Sequence, residues 1–314
     1  MPKYRSRLPQ LDGALFLTDG GIETTLIFHD GFDLPFFAAF TLLNEAKGRQ
    51  ALRDYFARYA DIAKANGTGF ILESPTWRAS SDWGEKLGYS EKDMAAINRD
   101  SIALLKELRG EYESDGTPIV ISGCVGPRGD GYDPGTVMSP AEAEAYHSKQ
   151  IRAFAETEAD QITAITMTNT NEAIGLTRAA QAAGIPVVIS FTVETDGRLP
   201  AGQNLAEAIA AVDEATGNGP AYFMINCAHP SHFQDALAGE PWMKRIRGLR
   251  ANASALSHAE LDEATELDDG NPAELGTQHR ALRNRFGHIN VFGGCCGTDH
   301  RHIEQICVSV KAAA

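Results

Sequence analysis

The 314-residue chain predicts the α/β class and, within it, a single (β/α)8 (TIM) barrel spanning residues 1–314. Short aliphatic runs recur eight times, and longer segments with apolar residues at helical spacing separate them. No linker rich in Gly, Pro or Ser divides the chain, and no repeat beyond the β/α alternation is visible. Such alternation favours parallel βα units, and eight strands are what a closed barrel requires.

In chain order the predicted strands are 14–18 (ALFLT), 69–73 (GFILE), 118–123 (PIVISG), 161–168 (QITAITMT), 186–192 (PVVISFT), 221–226 (AYFMIN), 244–251 (KRIRGLRA) and 289–294 (INVFGG). The seventh is the weakest, because its arginines and glycine interrupt the apolar run. Helical spacing covers 43–66, 91–113, 139–159, 171–183, 205–216, 272–286 and 300–310. Ser139-Pro140 illustrates how such a helix begins, with a cap residue followed by proline in the first turn. After strand six only a short segment, 232–239, is available for a helix. The acidic stretch 253–270 reads as a long loop after strand seven, serving as a lid or subunit contact.

A hydrophobic content of 43% with 22% charged residues fits a globular chain with a full core. No stretch approaches the roughly 18 apolar residues of a membrane span. The start, MPKYRSRLPQLDGALFLTDGG, lacks a signal-type core, so the expected compartment is the cytoplasm. A net charge of −14 argues against nucleic acid or an anionic membrane as partner. Five cysteines, Cys124, Cys227, Cys295, Cys296 and Cys307, form an odd set without a secretion signal, which predicts reduced thiols rather than a disulfide framework.

Active sites of such barrels lie at the carboxyl ends of the strands. There the chain places Asp19-Gly20-Gly21 after strand one, Glu73 at the end of strand two, Asn226-Cys227 after strand six and Cys295-Cys296 after strand eight. Barrel closure brings strands six and eight to one mouth, where three sulfurs can converge. Soft thiolates suit Zn2+, and three protein ligands keep a fourth position for substrate. Gly293, Gly294 and Gly297 let the backbone turn beside the cysteine pair, and Thr298 or Asp299 is placed to cap the last helix. The plain alternative for such cysteines is burial as small hydrophobes, the reading given to Cys124 and Cys307. A vicinal disulfide between Cys295 and Cys296 is a further alternative. His229, His232, His300 and His302 compete as ligands but rank as supporting or surface residues.

Three thiolates give zinc a net negative shell, a poor activator of water but a good station for a fourth thiol. The chemistry favoured is displacement at a methyl carbon carried by a cationic sulfonium or ammonium donor. Glu23, Glu73 and Trp77 are candidates to attract that cation. Asp19 and the backbone N–H groups of Gly20 and Gly21 are candidates to hold the acceptor.

Asp19–Gly21 (DGG), 122–127 (SGCVGP), 190–203 (SFTVETDGRLPAGQ), 225–227 (INC) and 293–298 (GGCCGT), in this order, resemble the homocysteine S-methyltransferase family over nearly the whole chain. The resemblance implies zinc held by Cys227, Cys295 and Cys296, a small thiol such as homocysteine as acceptor, and S-methylmethionine, S-adenosylmethionine or betaine as donor. It also implies a glutamate for the acceptor's amino group where this chain has Ile165, leaving Thr166, Thr168 or Asn169 as polar contacts. Arg250-Ala251-Asn252-Ala253-Ser254 likewise replaces a Pro-Asn-Ala-Gly type segment. The alternative function is a zinc-thiolate barrel altered into a thiol or metal sensor. Small molecules are the expected partners, with a homo-oligomer as the assembly to test.

Overall fold

The computed structural model describes residues 1–237, 239 and 241–313. Eight strands form a closed parallel barrel in sequence order: β1 (Phe16–Leu17), β2 (Gly69–Glu73), β3 (Ile119–Val125), β4 (Gln161–Met167), β5 (Val187–Thr192), β6 (Tyr222–Asn226), β7 (Ile246–Ala251) and β8 (Val291–Gly294). Closure runs through β1 and β8, with Phe16 opposite Val291 and Leu17 opposite Phe292. All eight predicted runs are strands. The first is shortest because Ala14 and Leu15 lead into it as irregular chain, and the first two residues of the seventh run belong to a 3-10 turn, Pro241–Arg245.

The helices are α1 (Ile22–Thr24), α2 (Ala46–Asn66), α3 (Ser81–Lys86), α4 (Glu91–Tyr112), α5 (Pro140–Ala155), α6 (Thr170–Ala183), α7 (Leu205–Thr216), α8 (Pro230–Phe233), α9 (His258–Glu263), α10 (Pro272–Arg285) and α11 (His300–Lys311). The long ones match the sequence expectation closely because their ends are chemically marked. Ser90, Ser139 and Asn204 close capping boxes at α4, α5 and α7, satisfying N–H groups that the first turn leaves free. α3 and α9 were not expected. α9 lies inside the stretch read as loop, where Ser257 and Glu260 form a capping box. Of the segment 232–239, Ala238 lies outside the described residues, and helix occurs only as the short α8.

Alternation along the strands sorts residues between two environments. One set faces the helices; the other fills the barrel, where Phe16, Ile71, Val120, Val188, Tyr222, Met224 and Val291 make an apolar lower core with Leu8. The amino-terminal segment is stitched beneath it. Arg5 donates to the carbonyls of Ala155, Thr157 and Ala159, and the backbone N–H of Tyr4 donates to Asp160 at 2.7 Å. Asp160 also receives Arg109 Nη1 at 2.8 Å and the Ile121 N–H at 3.0 Å, so this buried carboxylate ties α4, β3 and the amino terminus together.

Higher in the barrel the filling turns polar: Glu73, Ser122, Thr163, Ser190, Asn226 and Arg250 are all buried. Gly248 and Arg250, which weaken the β7 signal in the sequence, each have a role here. A Cβ on Gly248 would meet Met224 Cγ at 2.7 Å, so glycine makes room for the lower core. Arg250 belongs to the polar layer. The barrel thus has a dry floor and a charged upper end, and the chemistry gathers at that end.

Candidate active site

Cys227 follows β6, and Cys295 and Cys296 follow β8. The three sulfurs lie within 4.8 Å of one another, the one such group of potential metal donors found among the described residues. Soft thiolates converging from two loops are a donor set that suits zinc, which such ligands bind at about 2.3 Å. The Sγ atoms of Cys227 and Cys295 are drawn together across 5.3 Å of Cα separation. Cys296 is free and opens to solvent, while Cys124 and Cys307 are free and buried, as expected of them.

The backbone around the sulfurs is held in unusual conformations. Cys227 has φ 51° and Thr166 φ 67°, the left-handed region that non-glycine residues rarely adopt. Asn226 supports both turns: its Oδ1 accepts the Thr166 N–H at 3.0 Å and the Ser190 hydroxyl at 2.6 Å, and its Nδ2 donates to Thr166 Oγ1 at 2.9 Å. Asn252 Oδ1 accepts the Cys296 N–H at 3.1 Å. At Gly21 a Cβ would stand 2.5 Å from the Cys295 carbonyl, so only glycine lets the first loop pass against the cysteine loop. Asp299, rather than Thr298, caps α11; the Thr298 hydroxyl turns back to the Cys295 carbonyl at 2.7 Å.

Asp19 is buried and both its oxygens are engaged, Oδ1 by Arg250 Nη2 at 2.7 Å and Oδ2 by the Tyr55 hydroxyl at 2.9 Å. Arg250 Nε donates to the Gly294 carbonyl at 3.1 Å, which anchors the guanidinium beside the residue preceding Cys295. Glu73 points into the same polar layer. Burial pushes its carboxyl up to about 7, opposed by the nearby Arg250 charge and the Ser122 and Thr163 hydroxyls. Glu23 on α1 is half-buried and is likewise raised to about 7 by burial. Trp77 donates from Nε1 to the Ile165 carbonyl at 3.3 Å, and the Arg78 guanidinium lies 3.9 Å over its ring. A protein cation therefore already occupies a face that was expected to serve a donor.

Tyr132 and His258 escaped the sequence reading. The Tyr132 hydroxyl is 3.2 Å from Cys296 Sγ, and its ring stacks on His258 with centroids 3.9 Å apart. His258 Nε2–H donates to the Cys227 carbonyl at 2.6 Å, and its Nδ1 faces Glu194 at 3.1 Å. Tyr132 sits in a Gly- and Pro-rich loop, Gly126 to Met138, and nothing in its composition marks the tyrosine as a neighbour of Cys296. The four histidines weighed as ligands lie outside the sulfur group. His229 and His302 serve helix amino termini, His232 faces the Ala255 carbonyl, and His300 is exposed.

A closed parallel barrel with three cysteines and paired charges at its carboxyl mouth is the framework of a methyltransferase-class barrel enzyme. The chain belongs to the homocysteine S-methyltransferase family, whose model, described as homocysteine S-methyltransferase, matches residues 16–310. It is a homocysteine methyltransferase-like enzyme. Among solved structures it is similar to the homocysteine methyltransferase MmuM from Escherichia coli. The oxidized and metallated forms superpose with TM-scores of 0.75 and 0.73 at 19% identity, covering 98% of this chain and 98% and 99% of those. The apo form gives 0.66 at 19% identity, with 98% of both chains covered. At that identity the likeness speaks for the fold. Among the described residues no helix is long and apolar enough to cross a membrane.

Proposed function

We propose that the chain transfers a methyl group from a cationic sulfonium or ammonium donor to homocysteine or a related small thiol, with zinc held by Cys227, Cys295 and Cys296. The observation that carries the reading is the convergence of these three sulfurs from two distant loops. Zinc bound there supplies a lowered thiol pKa, keeping the acceptor sulfur anionic at neutral pH. The acceptor thiolate attacks the methyl carbon, a new C–S bond forms, and the donor's C–S or C–N bond breaks with its electron pair leaving on the donor. The thiol proton goes to solvent, and the donor departs neutral.

The chain's own residues orient and enclose this exchange. Asn226 and Asn252 fix the loops that carry the cysteine sulfurs. Tyr132, stacked on His258, sets its hydroxyl 3.2 Å from Cys296 Sγ at the mouth. Glu23 adds an acidic group that favours a cationic donor. Glu73 with Asp19, Gly20, Gly21, Thr166 and Asn226 makes up the acceptor side of the site, Thr166 Oγ1 lying 3.9 Å from Cys227 Sγ.

Ile165, where the resemblance implies a glutamate, favours one second reading, a barrel that keeps the zinc site and senses thiols or metals. A screen of small thiols against S-methylmethionine, S-adenosylmethionine and betaine, read by mass spectrometry on reduced, zinc-supplied protein, separates the two. Methylated thiol from at least one pair is expected. No product from any pair, with zinc bound, would overturn the transferase reading.

A further inference from the structure

A buried cation grips the loop that brings Tyr132 to Cys296. Arg78 lies between β2 and α3 and is only 4% exposed. Its guanidinium carbon lies 3.9 Å over the ring of Trp77 and 3.9 Å over that of Trp83, so two indoles hold the plane of the fork.

From that seat the fork reaches two consecutive residues of the loop. Nη1 donates to the Gly129 carbonyl at 2.8 Å, and Nη2 stands 3.8 Å from Asp130 Oδ2. The other oxygen of Asp130, Oδ1, accepts the Tyr132 N–H at 2.8 Å and the Asp133 N–H at 3.2 Å. Gly131 passes so close beneath that a Cβ would stand 3.1 Å from Trp77 Cζ2 and 3.1 Å from Thr166 Cγ2. The path from Arg78 through Asp130 to Tyr132 is short, and it ends with the Tyr132 hydroxyl 3.2 Å from Cys296 Sγ. Arg128, Gly129 and Asp130 are exposed, so packing of their own side chains does little to fix that path. Upstream, Glu172 Oε1 accepts the Arg128 N–H at 2.7 Å and fixes where the loop enters; the His258 ring sets the plane of Tyr132.

We propose that Arg78 is a positioning residue for the sulfur site: by holding Gly129 and Asp130 it sets the Tyr132 O–H to donate to Cys296 Sγ, which keeps that sulfur where those of Cys227 and Cys295 converge. The inference rests on the reading that the three sulfurs hold zinc, and it adds a residue outside the sulfur group. Losing a donor that orients a metal-ligating atom costs about tenfold to a hundredfold in metal affinity. The influence of Arg78 passes through the Tyr132 hydroxyl, so the two residues are coupled rather than additive.

Competition with a chromophoric chelator measures the zinc affinity of reduced protein without catalysis. Tyr132→Phe keeps the ring on His258 and removes the hydroxyl; this variant and Arg78→Ala are each expected to bind zinc about tenfold more weakly or worse. Combining the two substitutions is expected to cost no more than Tyr132→Phe alone. With cobalt(II) in place of zinc, the thiolate-to-metal charge-transfer band is expected to move to longer wavelength in both single variants, as it does when a thiolate loses a hydrogen bond. Lys86→Ala, which takes the second cation from Trp83 without touching the loop, is expected to match the wild type. Should Arg78→Ala fail to fold, Asp130→Ala, at an exposed position one step along the path, takes its place in the same cycle. Wild-type affinity in Arg78→Ala, single losses that multiply in the double variant, or an equal loss in Lys86→Ala would overturn the positioning role and leave zinc binding standing. A wild type that binds no zinc would overturn the zinc reading and this role with it.

Discussion

Glu73 shows how one buried side chain can link the site to stability. Its carboxyl is raised from 4.5 to about 7 because burial disfavours the charged form more than Arg250 and two hydroxyls favour it. The folded protein therefore holds this proton at pH values where the unfolded chain has released it. Its stabilising contribution is fully present below about pH 4.5 and is lost as pH rises through about 7. Glu73→Gln removes the titrating group, so urea midpoints of the variant are expected to fall less between pH 5 and 8 than those of the wild type. Parallel curves for the two proteins would place the carboxyl in water. At this scale the cysteines were legible in the sequence, because soft ligands flanked by glycine at strand ends carry a recognisable chemistry. Arg250 was seen as a break in an apolar run and as a departure from the family's Pro-Asn-Ala-Gly type segment, but not as an ion-pair partner, since Asp19 lies 231 positions away and nothing in the sequence marks the pair.

The elements were legible where local chemistry defines their ends. Capping residues bound α4, α5 and α7, and glycines in the left-handed conformation end α2, α6 and α7. β7 was the hardest strand to read: Gly248 answers to the bulk of Met224 and Arg250 to the charge of Asp19, both demands of the closed barrel rather than of the strand. α9 was missed because its six residues are mostly polar and held by a capping box within an acidic stretch. A buried hub helps to tie on the amino-terminal segment. Asp160 accepts from Arg109, from the Ile121 N–H and from the Tyr4 N–H. Replacing Asp160 with Ala leaves the Arg109 cation, also buried, without its partner, at a cost of about 3–5 kcal/mol. Urea denaturation is expected to show that loss, whereas a change below about 1 kcal/mol, the range of exposed pairs, would mean that water already screens it.

Across the whole molecule, closure of the barrel makes the site. Cys227 and Cys295 are 68 residues apart, and only the neighbouring positions of β6, β7 and β8 around the ring bring their loops together. The sequence supplied the count of strands and the donor atoms, from which convergence followed. The Tyr132–His258 stack could not be read in that way, because Tyr132 comes from the loop after β3 and His258 from α9, two segments that meet only in the folded chain. The same closure sets the charges of β2 and β7 in one polar layer. A sulfur cluster that receives a thiol, with charged groups beside it, is therefore a property of the closed ring and not of any one βα unit. Zinc K-edge X-ray absorption on the reduced, zinc-loaded protein tests this account most directly. It predicts three sulfurs at about 2.3 Å with one lighter ligand before homocysteine is added and four sulfurs afterwards. A sulfur count that starts below three, or that stays at three when the thiol is present in excess, would contradict it.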